Sequence, residues 1–175
     1  MSEIKNVLFL CTANSARSIL GEGILRALGA HKFQAFSAGS HPRGEPNPLA
    51  LSVLEGHGHD ISGLASKSWD VFAGGEAPKM DLVFTVCDAA SGESCPYWPG
   101  QPITAHWGIA DPASVTGSPM EQRAAFEHAY ALLRRRVELL VALPLPSLGI
   151  VALKHELQRI GAEEGATDLA RAKLS

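Results

Sequence analysis

The chain has 175 residues, 46% of them hydrophobic and 19% charged, which suits one globular domain with a proper core and excludes a disordered polymer. With a formal net charge of −3 and no lysine or arginine run long enough to make a stripe, nucleic acid is excluded as a partner. No apolar stretch reaches membrane-spanning length and no signal peptide precedes the first strand, so the expected compartment is the cytoplasm, where thiols are kept reduced.

The first element is an apolar run, Val7-Leu8-Phe9-Leu10, that stops at Cys11. A loop of small residues follows (Thr12, Ala13, Asn14, Ser15, Ala16), and Arg17-Ser18 opens a segment of helical period carrying Ile19, Leu20, Ile24, Leu25 and Leu28. Strand, small-residue loop and helix start together predict an oxyanion cradle with a nucleophile in its floor. The loop brings backbone N–H groups onto one point, and the helix adds its positive end. Both effects lower a thiol pKa, so Cys11 is expected to be a thiolate at neutral pH. Arg17 offers a planar fork to two oxygens of a tetrahedral anion, and Ser18 has a hydroxyl to donate to the sulfur. The bland alternative is a buried cysteine ending a core strand.

Downstream, Phe33 to Ser37 reads as a second strand running into Ala38-Gly39. Asn47-Pro48 starts a helix, asparagine as cap and proline at the first helical position, that stops by Gly56. The stretch Gly56-His57-Gly58-His59-Asp60 reads as a solvated turn, and Lys67 to Phe72 as a weak helix. Asp81 to Val86 is a third strand that, like the first, ends at a cysteine, Cys87; Asp88 to Gln101 is a polar loop holding Cys95-Pro96. Ile103 to Trp107 is a fourth strand, with Asp111-Pro112 in the loop beyond it. Ser118-Pro119-Met120-Glu121 is a capping box launching a long amphipathic helix to about Leu143, ended by Pro144 and Pro146. Arg134-Arg135-Arg136 within it reads as a solvated face with some stem packing.

Strands alternating with helices predict a three-layer α/β/α domain with a four-stranded parallel sheet, whose strand ends place Cys11 and Cys87 on one edge. Residues 1–146 form that domain; residues 147–175 are expected to be a helical C-terminal extension for packing or self-association. Three cysteines in such a chain point away from a disulfide framework and toward metal or redox chemistry, and without a histidine at ligand spacing metal is the weaker choice. His106 is expected to be a structural hydrogen-bonder and Trp107 a core residue.

Cys11-x5-Arg17-Ser18 between strand and helix, Ser37-Ala38-Gly39, and the Asp111-Pro112 loop together resemble the low-molecular-weight protein tyrosine phosphatase fold. Asn14 to Ser18, Thr85-Val86-Cys87-Asp88, Cys95-Pro96, and His106-Trp107-Gly108 followed by Asp111-Pro112-Ala113 resemble arsenate reductases of the three-cysteine, thioredoxin-coupled type. Ala113-Ser114 stands where true tyrosine phosphatases carry a tyrosine pair.

The resemblance implies that residues Thr12 to Ser18 bind arsenate, with phosphate or sulfate as analogues, that Cys11 attacks it, and that Asp111 is the general acid. It also implies that Cys87 and then Cys95 carry a disulfide relay for arsenic detoxification. The alternative is a low-molecular-weight phosphatase that hydrolyses phosphate monoesters through a cysteinyl-phosphate, with Cys11, Arg17 and Asp111 alone. No bound cofactor is expected. The implied partner is an external thiol reductant, thioredoxin or glutathione with glutaredoxin, acting on a monomer or weak dimer. A potassium ion near Asn14, Glu22 and Ser37 is a further implication of the family; the residues themselves suggest no metal site.

Overall fold

The computed structural model describes residues 3–93, 98 and 100–173. Its strands are β1 (Lys5–Cys11), β2 (Phe33–Gly39), β3 (Leu82–Thr85) and β4 (Ile103–His106). Its helices are α1 (Arg17–Leu28), α2 (Pro48–Gly56), α3 (Asp88–Gly92), α4 (Pro119–Ala142), α5 (Ile150–Gly161) and α6 (Asp168–Ala172). The strands form one parallel sheet in the order β2-β1-β3-β4, the architecture expected from the alternation of strands and helices.

Alternate residues of β1 leave on opposite faces, and both faces are covered, which is why its sequence is a continuous apolar run. Val7 and Phe9 join a large core with α1, α2, α4 and α5, while Leu8 and Leu10 join a smaller one with Phe72, Met80 and Trp98. Phe84 stacks on Trp107 at 3.8 Å between ring centres, and Trp107 is fully buried as a core residue. Because β1 is flanked by β2 on one side and β3 on the other, successive connections leave it in opposite directions, and a crevice opens at the carboxyl ends of β1 and β3.

The caps are those read from the sequence. Asn47 Oδ1 accepts the Leu49 N–H at 2.9 Å, and Ser118 with Glu121 closes a capping box ahead of Pro119. Four readings change, the last two because a distant segment supplies the missing partner. The 67–72 stretch forms only a 3-10 turn over Trp69–Phe72. The polar loop after β3 begins with α3, whose N-cap is Cys87: its Sγ accepts the Ala90 N–H at 3.4 Å.

The 56–60 turn is not simply solvated. His57 stacks on Tyr130 at 4.0 Å and pairs with Glu127 at 2.8 Å, while His59 hydrogen-bonds the Tyr130 hydroxyl at 2.6 Å. Arg136 is buried at 1% exposure, because its guanidinium donates to the carbonyls of Leu132, Glu163 and Glu164.

Those last two carbonyls belong to the C-terminal extension, which packs on its own domain. Leu157 and Ile160 are fully buried in the main core, and the Trp107 indole N–H donates to the Leu157 carbonyl at 2.9 Å. Burying two such side chains contributes about 1.5–3 kcal/mol each, so the extension is part of what keeps the domain folded.

Candidate active site

Cys11 ends β1 at 4% exposure, and the chain turns at Asn14, whose φ of 45° lies in the left-handed region that asparagine tolerates. Across the sheet Cys11 pairs with Gly39, where an added Cβ would sit 2.4 Å from the Thr12 carbonyl oxygen. Glycine at that position is what lets the loop lie against β2. Helix α1 then starts at Arg17 with no side-chain cap on Ala16 and no acidic residue in its first turn, so its leading N–H groups face the loop available for an anion.

Beneath the loop, Asn14 sets the direction of two hydroxyls. Its two Nδ2 hydrogens go to Ser18 Oγ at 2.8 Å and Ser37 Oγ at 3.0 Å, and its Oδ1 accepts the Lys67 N–H at 2.8 Å. Ser18 Oγ, already an acceptor, turns its own hydrogen to Cys11 Sγ at 2.9 Å; Ser37 Oγ likewise donates to Glu22 Oε1 at 2.5 Å.

The Cys11 thiol nevertheless titrates above its ordinary value, which corrects the expectation of a thiolate at neutral pH in the ligand-free protein. Burial pushes it up and outweighs the hydrogen bonds from the Ser18 hydroxyl and backbone N–H; the neighbouring Cys87 also raises it, and the Arg17 charge lowers it. Local effects were legible in the sequence, whereas the depth of burial is a property of the assembled core.

Arg17 Nη1 donates to the Ile109 carbonyl at 2.8 Å, and its Nη2 lies 3.8 Å from Asp111 Oδ2. The loop after β4 thus holds the guanidinium over the cradle. Asp111 uses Oδ1 to cap the 3-10 turn Pro112–Ser114 through the Ala113 N–H at 2.9 Å, which leaves Oδ2 on the Arg17 side. Its carboxyl is 42% exposed, within reach of both solvent and cleft.

Cys87, at 2% exposure, follows β3 on the same edge as Cys11, as expected, and both are free thiols. Thr12 Oγ1 donates to Glu93 Oε1 at 3.0 Å and lies 3.7 Å from Cys87 Sγ, so the cradle loop touches both ends of the 87–93 segment. Asp88 Oδ1 accepts from His106 Nε2 and from Thr167 Oγ1, each at 2.7 Å; a carboxylate only accepts, so the histidine carries its proton on Nε2. His106 Nδ1 meets Thr85 Oγ1 at 2.7 Å, the structural role expected of it.

Thr12, Arg17, Cys87, Asp88, Asp111 and Thr167 line a cleft of about 320 Å³ at the end of the sheet where β1 stops at Cys11. Thr167, Glu93 and the Ile109 carbonyl were not singled out from the sequence; the only trace of Thr167 there is a cap-type Thr-Asp pair before Leu169. Cys95 lies outside the described residues. A larger groove of about 850 Å³ opens at the opposite end of the sheet, beside Lys5, Lys32 and Leu148, away from both described thiols.

The Asn14, Glu22 and Ser37 cluster, where the family resemblance implied potassium, surrounds a cation supplied by the chain. Lys67 Nζ donates to the carbonyls of Ser37 at 2.8 Å and Ala65 at 2.7 Å and lies 3.9 Å from Glu22 Oε1. Burial lowers the lysine pKa, and Glu22 works against that shift. Among the described residues no group of three histidine, cysteine or acidic side chains is placed to hold a metal ion.

Residues 6–159 match the sequence model of the low molecular weight phosphotyrosine protein phosphatase family. An arsenate reductase of Bacillus subtilis (strain 168) is 35% identical over 71% of this chain and 86% of its own length. One from Halalkalibacterium halodurans is 34% identical over 77% and 93%. Among solved structures, an arsenate reductase in its phosphate-binding state superposes with a TM-score of 0.65 at 31% identity, covering 79% of this chain and 98% of that one.

Proposed function

This chain belongs to the low molecular weight phosphotyrosine protein phosphatase family, and we propose that its reaction is the reduction of arsenate to arsenite, for arsenic detoxification in the cytoplasm. The observation that carries this reading is the second thiol. Cys87 sits buried beside the cradle, linked through Thr12 to the loop that begins at Cys11, and hydrolysis of a phosphate monoester gives such a thiol no task. The names of the relatives and of the structural neighbours support the same substrate.

Arsenate seats on the N–H groups of residues 12–18 and on the Arg17 fork, with phosphate and sulfate as competing tetrahedral anions. The Cys11 thiolate attacks arsenic, and the oxygen that leaves takes its proton from Asp111 and departs as water. Cys87, as thiolate, then attacks Cys11 Sγ. The sulfur–sulfur bond forms, the sulfur–arsenic bond breaks, and its electron pair stays on arsenic, which leaves as arsenite. Two thiols are oxidised and arsenic gains two electrons, so the step balances. Cys95 attacks Cys87, moves the disulfide to Cys87–Cys95 and frees Cys11. An external thiol reductant, thioredoxin or glutathione with glutaredoxin, reopens that pair. The chain acts as a monomer or weak dimer, and among the described residues no helix is long and apolar enough to cross a membrane.

Replacing Cys87 by serine tests the reading. Arsenate turnover is expected to fall to background while phosphate still competes for the cradle. Undiminished arsenate turnover in that variant overturns the relay, and hydrolysis of p-nitrophenyl phosphate by a protein inert toward arsenate returns the site to phosphatase chemistry.

A further inference from the structure

We propose that Thr167, in the C-terminal extension, is a positioning residue that latches Asp88 and thereby holds Cys87 in place for the first disulfide exchange; this rests on the relay reading above. Cys87 is the N-cap of α3, a helix of five residues whose own cap is a weak sulfur contact. Such a short helix is marginal by itself. What fixes its start is Asp88, whose Oδ1 receives hydrogen bonds from His106 Nε2 on β4 and Thr167 Oγ1 at the start of α6.

The extension that carries Thr167 is itself anchored. The Thr167 N–H donates to the Gly108 carbonyl at 3.0 Å, Ala166 bridges to Ile109, and Leu157 and Ile160 are buried in the core. Gly108 carries no side chain where these groups converge. A Cβ there would lie 2.5 Å from His106 Nε2, 2.6 Å from Asp88 Oδ1 and 2.8 Å from Thr167 Oγ1. Thr167 also forms part of the cleft wall beside Cys87. The family match ends at residue 159, so this contact comes from a part of the chain beyond it.

The latch has opposite consequences for the two exchanges. It favours attack of Cys87 on Cys11, in which a sulfur–sulfur bond replaces the sulfur–arsenic bond and arsenic keeps the electron pair. It also shields Cys87, at 2% exposure, from any other sulfur or alkylating agent until the 87–93 segment moves.

The test uses the full-length chain with Cys95→Ser, so that Cys87 has no other partner, and compares it with the same protein carrying Thr167→Val or Thr167→Ser. Valine keeps the shape and removes the hydroxyl; serine keeps the hydroxyl. Without arsenate, iodoacetamide labelling followed by mass spectrometry is expected to modify Cys87 about tenfold faster in Thr167→Val, the scale of one lost hydrogen bond to a charged group. Cys11, read in the same spectra, keeps its rate, and Thr167→Ser restores protection of Cys87. With arsenate, the Cys11–Cys87 disulfide forms about tenfold more slowly in Thr167→Val, while the arsenate concentration giving half-maximal rate is unchanged. Gly108→Ala, which pushes the same three groups apart, gives the same pair of changes. Wild-type labelling of Cys87 in Thr167→Val, or a Thr167→Ser variant that behaves like valine, overturns the latch. If arsenate produces no Cys11–Cys87 disulfide even with Thr167 intact, the relay reading falls, and the labelling arm still decides on the latch.

Discussion

Ser18→Ala perturbs the one side-chain hydrogen bond aimed at the nucleophile among the described residues. Ser18 is fully buried, its oxygen is occupied by Asn14 Nδ2, and its hydrogen has no direction left but Cys11 Sγ at 2.9 Å. A hydrogen bond to a charged group contributes about 1.5–3 kcal/mol, and about 1.4 kcal/mol corresponds to one unit of pKa. Losing it therefore raises the Cys11 pKa further, on top of the elevation that burial already causes. The sign is fixed: the thiolate is destabilised, so less of it is present at any pH below the new midpoint. In a Cys87→Ser, Cys95→Ser background Cys11 is the single thiol, since the chain has three cysteines. Iodoacetamide labelling of Cys11 at pH 7 should slow by about 10–100-fold on these figures, while the alkaline plateau stays where it was. The same substitution orphans an Asn14 hydrogen and costs about 1–3 kcal/mol of stability, which thermal unfolding measures separately. Equal labelling midpoints with and without Ser18 refute the reasoning.

Other substitutions probe the remaining parts of the site and the fold. Arg17→Lys keeps the charge but loses the planar fork and the bond to the Ile109 carbonyl; kcat/KM for arsenate should drop by about two orders of magnitude, a loss of about 2.7 kcal/mol, and wild-type-like kinetics count against Arg17 as the clamp. Leu157→Ala empties a fully buried position in the extension and should cost about 2–5 kcal/mol in urea unfolding, whereas an unchanged midpoint shows that the extension contributes little to stability. Lys67→Met removes the ammonium that serves Ser37, Ala65 and Glu22. It should lower Tm and make the protein respond to KCl in place of NaCl at equal ionic strength; indifference of the variant to potassium argues against a cation role for Lys67.

The sequence revealed what neighbouring residues decide. The strand that stops at Cys11, the small-residue loop, the Asn47-Pro48 start and the Ser118 capping box all depend on residues within a few positions of one another, and all are present. Placement of Cys11 and Cys87 on one edge followed from the strand–helix alternation and parallel topology. What stayed hidden depends on partners far along the chain. Arg136 is buried because Glu163 and Glu164 offer carbonyls, and His57 is ordered because Tyr130 lies beneath it. Thr167 enters the cleft only because α5 and α6 fold back over β4. The direction of the Cys11 pKa reversed for the same reason: loop and helix effects are local, whereas desolvation is set by the whole core.

In the proposed relay Cys11 and Cys87 are chemically successive in arsenate reduction. Stoichiometric arsenate added to the fully reduced Cys95→Ser protein, followed by alkylation and mass spectrometry, tests it most directly. A Cys11–Cys87 disulfide with one equivalent of arsenite released is the predicted result. Two free, alkylatable thiols after arsenate exposure contradict it.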